Sequence, residues 1–323
     1  MILDTADWMY NKFEDCGVDF IVNCGDTLDS SVVKAEEISA LNDFYSKSHG
    51  IKEYHIIGNH ELNDSNKNFY STYILGQLDF IELIDKPKRI EFDDFSVAFL
   101  PYDKTENISY EELKKISADY LFSHIDIKGS ALRGSYIMDT GVEPEFLADN
   151  FKMTINGHLH TPEIIETSKN VVRNIGSVSS ISFVDSNSYI PSICILDTAT
   201  GKIKRCNNPH SILFRKYTVK TVSDLMAKIR ESDSNYRYVV NVVCPYEIHN
   251  DVKEILNSNP NIITNRVIVD MSDYKCDNPS NNNVSVEDLT SLDIELEFMK
   301  FLKKSGIDSA NLSRYESVLS IEV

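Results

Sequence analysis

The sequence predicts an α+β protein in which two stacked β-sheets are flanked by helices, followed by a small α/β unit and C-terminal helices. Three observations predict it. Short apolar runs recur, each stopping at a polar cluster: Phe20-Ile21-Val22 before Gly25-Asp26, Tyr54-His55-Ile56-Ile57 before Gly58-Asn59, Tyr120-Leu121-Phe122 before Ser123-His124, and Met153-Thr154-Ile155 before Gly157-His158. Such β-branched and aromatic runs suit buried strands, whose polar ends can converge on one edge of a sheet. Helical stretches dominate early and hairpin-like strands late, the order expected of stacked sheets with helices outside. Beyond Phe214 the pattern changes to β-α-β-α-β.

The elements follow in order. Leu3, Ala6, Tyr10 and Phe13 fall on helical spacing, Cys16-Gly17 is a stop signal, and Asp19 to Cys24 reads as a strand. A second helix fits Val33 to Ser46, closed by Ser48-His49-Gly50 ahead of the Tyr54 strand. Strands are expected over Arg89 to Phe92, Ser96 to Leu100, Val171 to Ile175, Tyr189 to Asp197 and Lys202 to Cys206, with Asp93-Asp94 as a solvated hairpin turn. This first domain spans residues 1–214. The second, residues 215–277, is opened by a strand over Lys216 to Lys220. Helices at Thr221 to Glu231 and Glu247 to Asn257 then alternate with strands at Tyr236 to Cys244 and Ile262 to Asp270. The remainder, residues 278–323, starts with a polar linker, Asn278 to Asn283. Leu292, Leu296, Met299 and Leu302 then share a helical face, and Ile294, Phe298 and Phe301 spread apolar surface around it. That surface needs cover from its own domain or from a partner.

Composition narrows the class. Over 323 residues, 42% hydrophobic and 25% charged content is ordinary for a globular protein, while a net charge of -18 argues against a broad basic surface for gripping phosphate backbones. Contact with nucleic acid must then be local, aided by bound cations or by a partner subunit. Six cysteines (Cys16, Cys24, Cys194, Cys206, Cys244 and Cys276) form no Cys-x-x-Cys, which fits reduced, buried thiols in a cytoplasmic protein. No apolar stretch approaches the ~20 residues of a membrane span, and Met1-Ile2-Leu3-Asp4 lacks the basic start of a signal peptide.

The polar clusters carry the chemistry. Asp26 is a natural bridging ligand, because a carboxylate can place one oxygen on each of two cations ~3.5–4 Å apart. Asn59 offers a neutral carbonyl oxygen, and His60 an imidazole able to donate a proton near neutral pH. His124 ends a strand. In Gly157-His158-Leu159-His160 a tight loop would let two imidazoles reach neighbouring cations. Nitrogen and oxygen donors without cysteine suit manganese, iron or zinc and do not choose among them. Other polar residues have plainer readings: Asp29 as a turn or hydrogen-bonding group, His55 packed within its strand, His49 at a helix end, and His210 and His249 in loop or cap positions.

This order of clusters resembles the calcineurin-like metallophosphoesterase superfamily, whose motifs run Asp-x-His, Gly-Asp-x-x-Asp, Gly-Asn-His-Asp/Glu, a lone His, and Gly-His-x-His. The resemblance implies a β-sandwich flanked by helices and a two-cation site, most simply of manganese. Asp26 would bridge both ions, Asn59, His124 and His158 would complete the second site, and His160 would belong to the first. His60 would contact the scissile phosphate and assist the leaving oxygen. Asn174-Ile175-Gly176-Ser177 followed by Ser182-Phe183 is similar to the corresponding segment of SbcD-type double-strand-break repair and bacteriophage recombination nucleases. That narrower resemblance implies an α/β capping domain, C-terminal helices docked on an SbcC-type coiled-coil ATPase, DNA as substrate and a homodimer within the complex.

One motif of the superfamily is missing. Thr5-Ala6-Asp7-Trp8-Met9 resembles the Thr-Ser-Asp-Trp-His of the subfamily, with Met9 at the His position. Only about ten residues would separate it from the next strand, too few for a parallel crossover, which needs about a dozen. Met1 is therefore expected to lie inside the first helix, with the strand bearing Asp-x-His absent. One cation would keep four ligands and the other only Asp26 and His160, so the chain is expected to bind at most one cation well and to be weak or inactive as a nuclease. Three readings remain open: a nuclease subunit, a stand-alone phosphatase or phosphodiesterase for small phosphoesters, and a non-catalytic scaffold that binds the ATPase.

Overall fold

The computed structural model describes residues 2–62, 70–102, 109–133, 136–181, 183 and 189–270. The expected linker at Asn278 to Asn283, the helix over Leu292 to Leu302, Ser182 and Cys276 lie outside the described residues.

Helix α1 (Ile2–Cys16) buries Thr5, Ala6, Tyr10 and Phe13 along one stripe, as the helical spacing predicts. Leu3, expected on that stripe, sits in the first turn and is 41% exposed. Strand β1 (Ile21–Asn23) is shorter than the expected Asp19 to Cys24, because Gly25 and Asp26 both adopt positive φ (96° and 56°) and turn the chain out of the strand. Helix α2 (Ala35–Tyr45) leads to β2 (Glu53–Ile56), and a 3-10 stretch, Ser71–Gln77, precedes β3 (Ile81–Ile84). These strands form a parallel sheet in the order β1-β2-β3.

The next elements are β4 (Lys88–Glu91), β5 (Ser96–Leu100), α3 (Tyr110–Lys115), β6 (Ala118–Ser123), the short hairpin β7 (Ala131–Arg133) and β8 (Tyr136–Ile137), α4 (Pro144–Asn150), β9 (Phe151–Asn156), β10 (Glu163–Ile165) and β11 (Val171–Asn174). Six of these strands make a mixed sheet, β10-β11-β9-β6-β5-β4. The β4–β5 hairpin turns at Asp93-Asp94 as expected.

Side-chain alternation explains why the two sheets stack. Val97, Phe99, Tyr120, Phe122, Met153 and Ile155 meet Cys24, Tyr54, Ile56 and Ile84 of the first sheet. Their neighbours Ala98, Leu100 and Leu121 point the other way, onto Leu113 of α3 and Leu147 of α4. Strand β5 is thus covered on both faces and reads as a continuous apolar run. On the outer face of the first sheet, Ile21 and Ile81 pack against Ala6, Tyr10 and Phe13 of α1 and Leu41 and Tyr45 of α2. The layers run helix, sheet, sheet, helix, which is the β-sandwich flanked by helices that the sequence predicts.

An antiparallel hairpin, β12 (Ser192–Asp197) and β13 (Lys202–Asn207), adds Ile193 and Cys206 to the helix-side core. The last described unit is a parallel sheet of β14 (Ile212–Thr218), β15 (Arg237–Pro245) and β16 (Ile262–Asp270), with crossover helices α5 (Val222–Glu231) and α6 (His249–Ser258). Its first strand begins at Ile212 and not at the expected Lys216, because Leu213 is buried against Tyr238 and Val240 and belongs to this core. A capping box starts α5: Thr221 Oγ1 accepts from the Asp224 backbone N–H (3.1 Å), and the Asp224 carboxylate accepts from Thr221 N–H (2.9 Å). Cys24, Cys206 and Cys244 are buried thiols, whereas Cys16 at the end of α1 is exposed. Among the described residues no helix is long and apolar enough to cross a membrane.

Candidate metal centre

Strands β1, β2, β6 and β9 all end at the same edge of the sandwich, and the polar clusters follow them there. Two glycines permit the approach. A Cβ on Gly25 would lie 2.4 Å from His124 Nδ1, and one on Gly58 would lie 2.1 Å from Asp26 Oδ1, so no larger residue fits between these loops.

The geometry centres on His124, which has no solvent exposure. Its Nδ1 lies 2.7 Å from the Cys24 carbonyl oxygen. A carbonyl only accepts, so this nitrogen carries the proton and donates it. His124 Nε2 then faces Asn59 Oδ1 at 2.9 Å, Asp26 Oδ2 at 3.1 Å and His158 Nδ1 at 3.1 Å. Donor-type atoms of Asp26, His124 and His158 all lie within 4.8 Å of one another. An amide oxygen, a carboxylate oxygen and two imidazole nitrogens around one point form a donor set able to hold a cation, and hard oxygen with borderline nitrogen suits a divalent ion. The donor set therefore fits the metal that the sequence resemblance implies.

Of the candidate residues, the structure brings Asp26, Asn59, His124 and His158 together. His60 stands beside them, 42% exposed, with its backbone N–H donating to Asp26 Oδ1 (3.0 Å) and its Nε2 4.0 Å from Asp26 Oδ2. Its Nδ1 lies 3.2 Å from the Asp29 carbonyl oxygen, which leaves Nε2 facing the cleft. His160 is outside the group of Asp26, His124 and His158, and its backbone carbonyl accepts from Ser177 N–H at 3.0 Å. The Tyr102 ring closes one side, with its centroid 6.4 Å from that of His124 and 6.1 Å from that of His158.

Support for these loops comes from residues whose roles the sequence did not reveal. Glu61, fully buried, accepts from Thr27 N–H (3.0 Å) and Gly58 N–H (2.8 Å) and so ties the Asp26 loop to the Asn59 loop. Asn156, the last residue of β9, accepts from Ser123 Oγ (3.0 Å) and Ile125 N–H (2.9 Å) and donates to the Ile125 carbonyl (2.9 Å), gripping the Ser123 side chain and the Ile125 backbone on either side of His124. Asp126 Oδ1 lies 2.9 Å from His158 Nε2. The available signals were a polar residue ending an apolar run for Asn156, the fourth position of Gly-Asn-His-Glu for Glu61, and the spacing two beyond His124 for Asp126.

The two carboxyl groups at the site are both held in their ionised range by neighbouring histidines. Burial pushes the Asp26 carboxyl up, but the neighbouring His124 ring and the His60 backbone N–H outweigh it and hold the group below its usual value. The hydrogen bond from His158 lowers Asp126 against a smaller effect of burial.

Residues 3–162 match the family model of the calcineurin-like phosphoesterases, and that part of the chain is a domain of this family. Exonuclease subunit 1 of Enterobacteria phage T4 is 30% identical over 142 residues, which cover 43% of this chain and 40% of that protein. The match thus spans less than half of either chain. Among solved structures, GAP50, the anchor in the inner membrane complex of Plasmodium, aligns with a TM-score of 0.43 at 16% identity, covering 65% of this chain and 85% of that one. Family membership makes this a metallophosphoesterase domain, the framework of a metal-dependent hydrolase.

Proposed function

We propose that this protein is a metal-dependent phosphodiesterase acting on DNA, the nuclease subunit of an SbcCD-like recombination and repair complex. The observation that carries the reading is the convergence of Asp26, Asn59 and His158 on His124 Nε2, with His60 at the rim. The likeness to a phage exonuclease subunit supports DNA over small phosphoesters.

In this reading Asp26, Asn59, His124 and His158 hold a divalent cation, manganese by resemblance to the subfamily. Bound there, it would polarise a phosphoryl oxygen and neutralise negative charge on the phosphoryl oxygens. The chain's own residues do the rest. Asp26 supplies the anionic donor and, through the His60 N–H, fixes the neighbouring loop. The Asp29 carbonyl holds the His60 ring by Nδ1–H, so in the doubly protonated ring Nε2–H can contact the phosphate and pass its proton to the leaving oxygen, leaving the neutral Nδ1–H form. Tyr102 screens one side of the His124–His158 pair from water. The β14-to-β16 unit corresponds to a capping domain, residues 215–277 in the proposed division, and residues 278–323 to the segment docking on an SbcC-type coiled-coil ATPase.

Incubation with linear duplex DNA and, separately, a small chromogenic phosphodiester in manganese buffer tests this. Weak manganese-dependent DNA cleavage, in keeping with a full ligand set for one cation only, that disappears in His60→Ala is the expected result. Hydrolysis of the small ester alone would favour a stand-alone phosphodiesterase. Cation binding without any hydrolysis would favour a scaffold. Capture of the ATPase by the full chain, lost on deletion of residues 292–302, tests the partner.

A further inference from the structure

We propose that Asp126 is a positioning residue that fixes which ring nitrogen of His158 faces the cation. The inference deepens the metal-site reading and rests on it. His158 Nε2 lies 2.9 Å from Asp126 Oδ1, and a carboxylate accepts and does not donate. The proton of the neutral imidazole is therefore held on Nε2, and Nδ1 keeps its lone pair. That Nδ1 is the atom 3.1 Å from His124 Nε2.

His124 is wired the opposite way. The Cys24 carbonyl holds its proton on Nδ1 and leaves the lone pair on Nε2. Two imidazoles in opposite tautomers thus aim lone pairs at one point, beside Asp26 Oδ2 and Asn59 Oδ1. With the other tautomer, His158 would direct an N–H into the space the cation needs. A carboxylate behind a ligating imidazole also raises its basicity and restrains its rotation, and loss of such a partner typically costs about 10–100-fold in metal affinity.

Local structure places Asp126 for this role. Asp126 lies two residues beyond His124, in the loop that follows β6. The Asp126 carbonyl accepts from Val142 N–H (2.9 Å), and Ile125 N–H is held by Asn156, which fixes the backbone on which the carboxylate rides. The side chain is 37% exposed, so its replacement leaves no buried group stranded in the core.

The test uses the full chain labelled with nitrogen-15 at histidine, first without metal, with the His158 signals assigned from the spectrum of His158→Gln. Wild type should show the proton on Nε2 of His158. Asp126→Ala should shift the ring to a tautomer mixture and weaken manganese binding, measured by calorimetry, about 10–100-fold. Asp126→Asn, which keeps an acceptor oxygen, should restore the Nε2–H form and most of the affinity. An unchanged tautomer and affinity in Asp126→Ala would overturn the proposal. So would equal loss of affinity in Asp126→Asn and Asp126→Ala with the tautomer unchanged, because Asp126 would then act through its charge. Wild type that takes up no manganese but shows the expected tautomers would overturn the metal-site reading instead.

Discussion

His55 Nε2 lies 3.5 Å from a Glu61 carboxylate oxygen, and both side chains are wholly buried. On the ring's other side Nδ1 is 3.6 Å from Glu53, itself within reach of the Tyr10 and Tyr45 hydroxyls at 3.4 Å each. Strand alternation produces this placement: Tyr54 and Ile56 enter the core between the sheets, so Glu53 and His55 must face α1 and α2. A polar column therefore runs from α1 through β2 to Glu61, which holds the two metal-site loops.

Burial alone would lower the pKa of His55, but the hydrogen bonds and charges of Glu61 and Glu53 raise it from 6.5 to about 9. A pKa raised on folding stabilises the native state fully below the unfolded value, and the benefit fades as pH rises through the folded one. Stability should then fall between about pH 6.5 and 9, by at most on the order of 3 kcal/mol from this group. Urea unfolding at pH 6 and pH 9 checks it, with His55→Gln expected to flatten the slope. Equal slopes in wild type and variant would count against a protonated His55.

Asn156→Leu should destabilise the chain by about 2–4 kcal/mol, because it strands buried partners of the amide on both sides of His124 while keeping the branching of the side chain. Asn156 also donates to Asn174 at 2.9 Å, so the loss extends into β11. Chemical denaturation measures this directly. A change below about 1 kcal/mol would mean that water or a rotated neighbour replaces the grip.

A cation that binds only the folded chain must raise its melting temperature. At manganese 100 times above the dissociation constant the gain is about 2.7 kcal/mol. Thermal scans with and without manganese should show this shift in wild type and its loss in Asp26→Asn and His124→Ala. EDTA should reverse it. A shift that persists in both variants would place the ion elsewhere.

Thr221→Ala should cost about 1 kcal/mol by removing the cap of α5. Manganese affinity should be unaffected, since the cap belongs to the β14-to-β16 sheet. Paired calorimetry and denaturation curves separate the two effects, and a parallel loss of affinity would reveal coupling between that sheet and the metal centre.

Much of the site was legible because its residues stand at strand ends, where an apolar run must stop and a loop begins. Asp26, Asn59, His60, His124 and His158 could be read that way, and the order of their motifs identified the family. The flanking helices and the β-α-β-α-β unit were visible in periodicity, though strand limits such as Asp26 and Ile212 depended on backbone turns and on which core claimed Leu213. The resemblance assigned His158 and His160 to different sites, and the fold takes His158 into the cluster around His124 with His160 outside that group. Asp126, Glu61, Asn156 and the His55 column were likewise decided in three dimensions. Their roles lie in hydrogen bonds between residues distant in the chain, such as Glu61 to Thr27, and linear spacing carries no record of which buried donor meets which acceptor. The sequence by itself determined which residue types stand at the strand ends; the tertiary structure decided which nitrogen and oxygen atoms face one another, because that depends on how two sheets and the helices on either side of them pack.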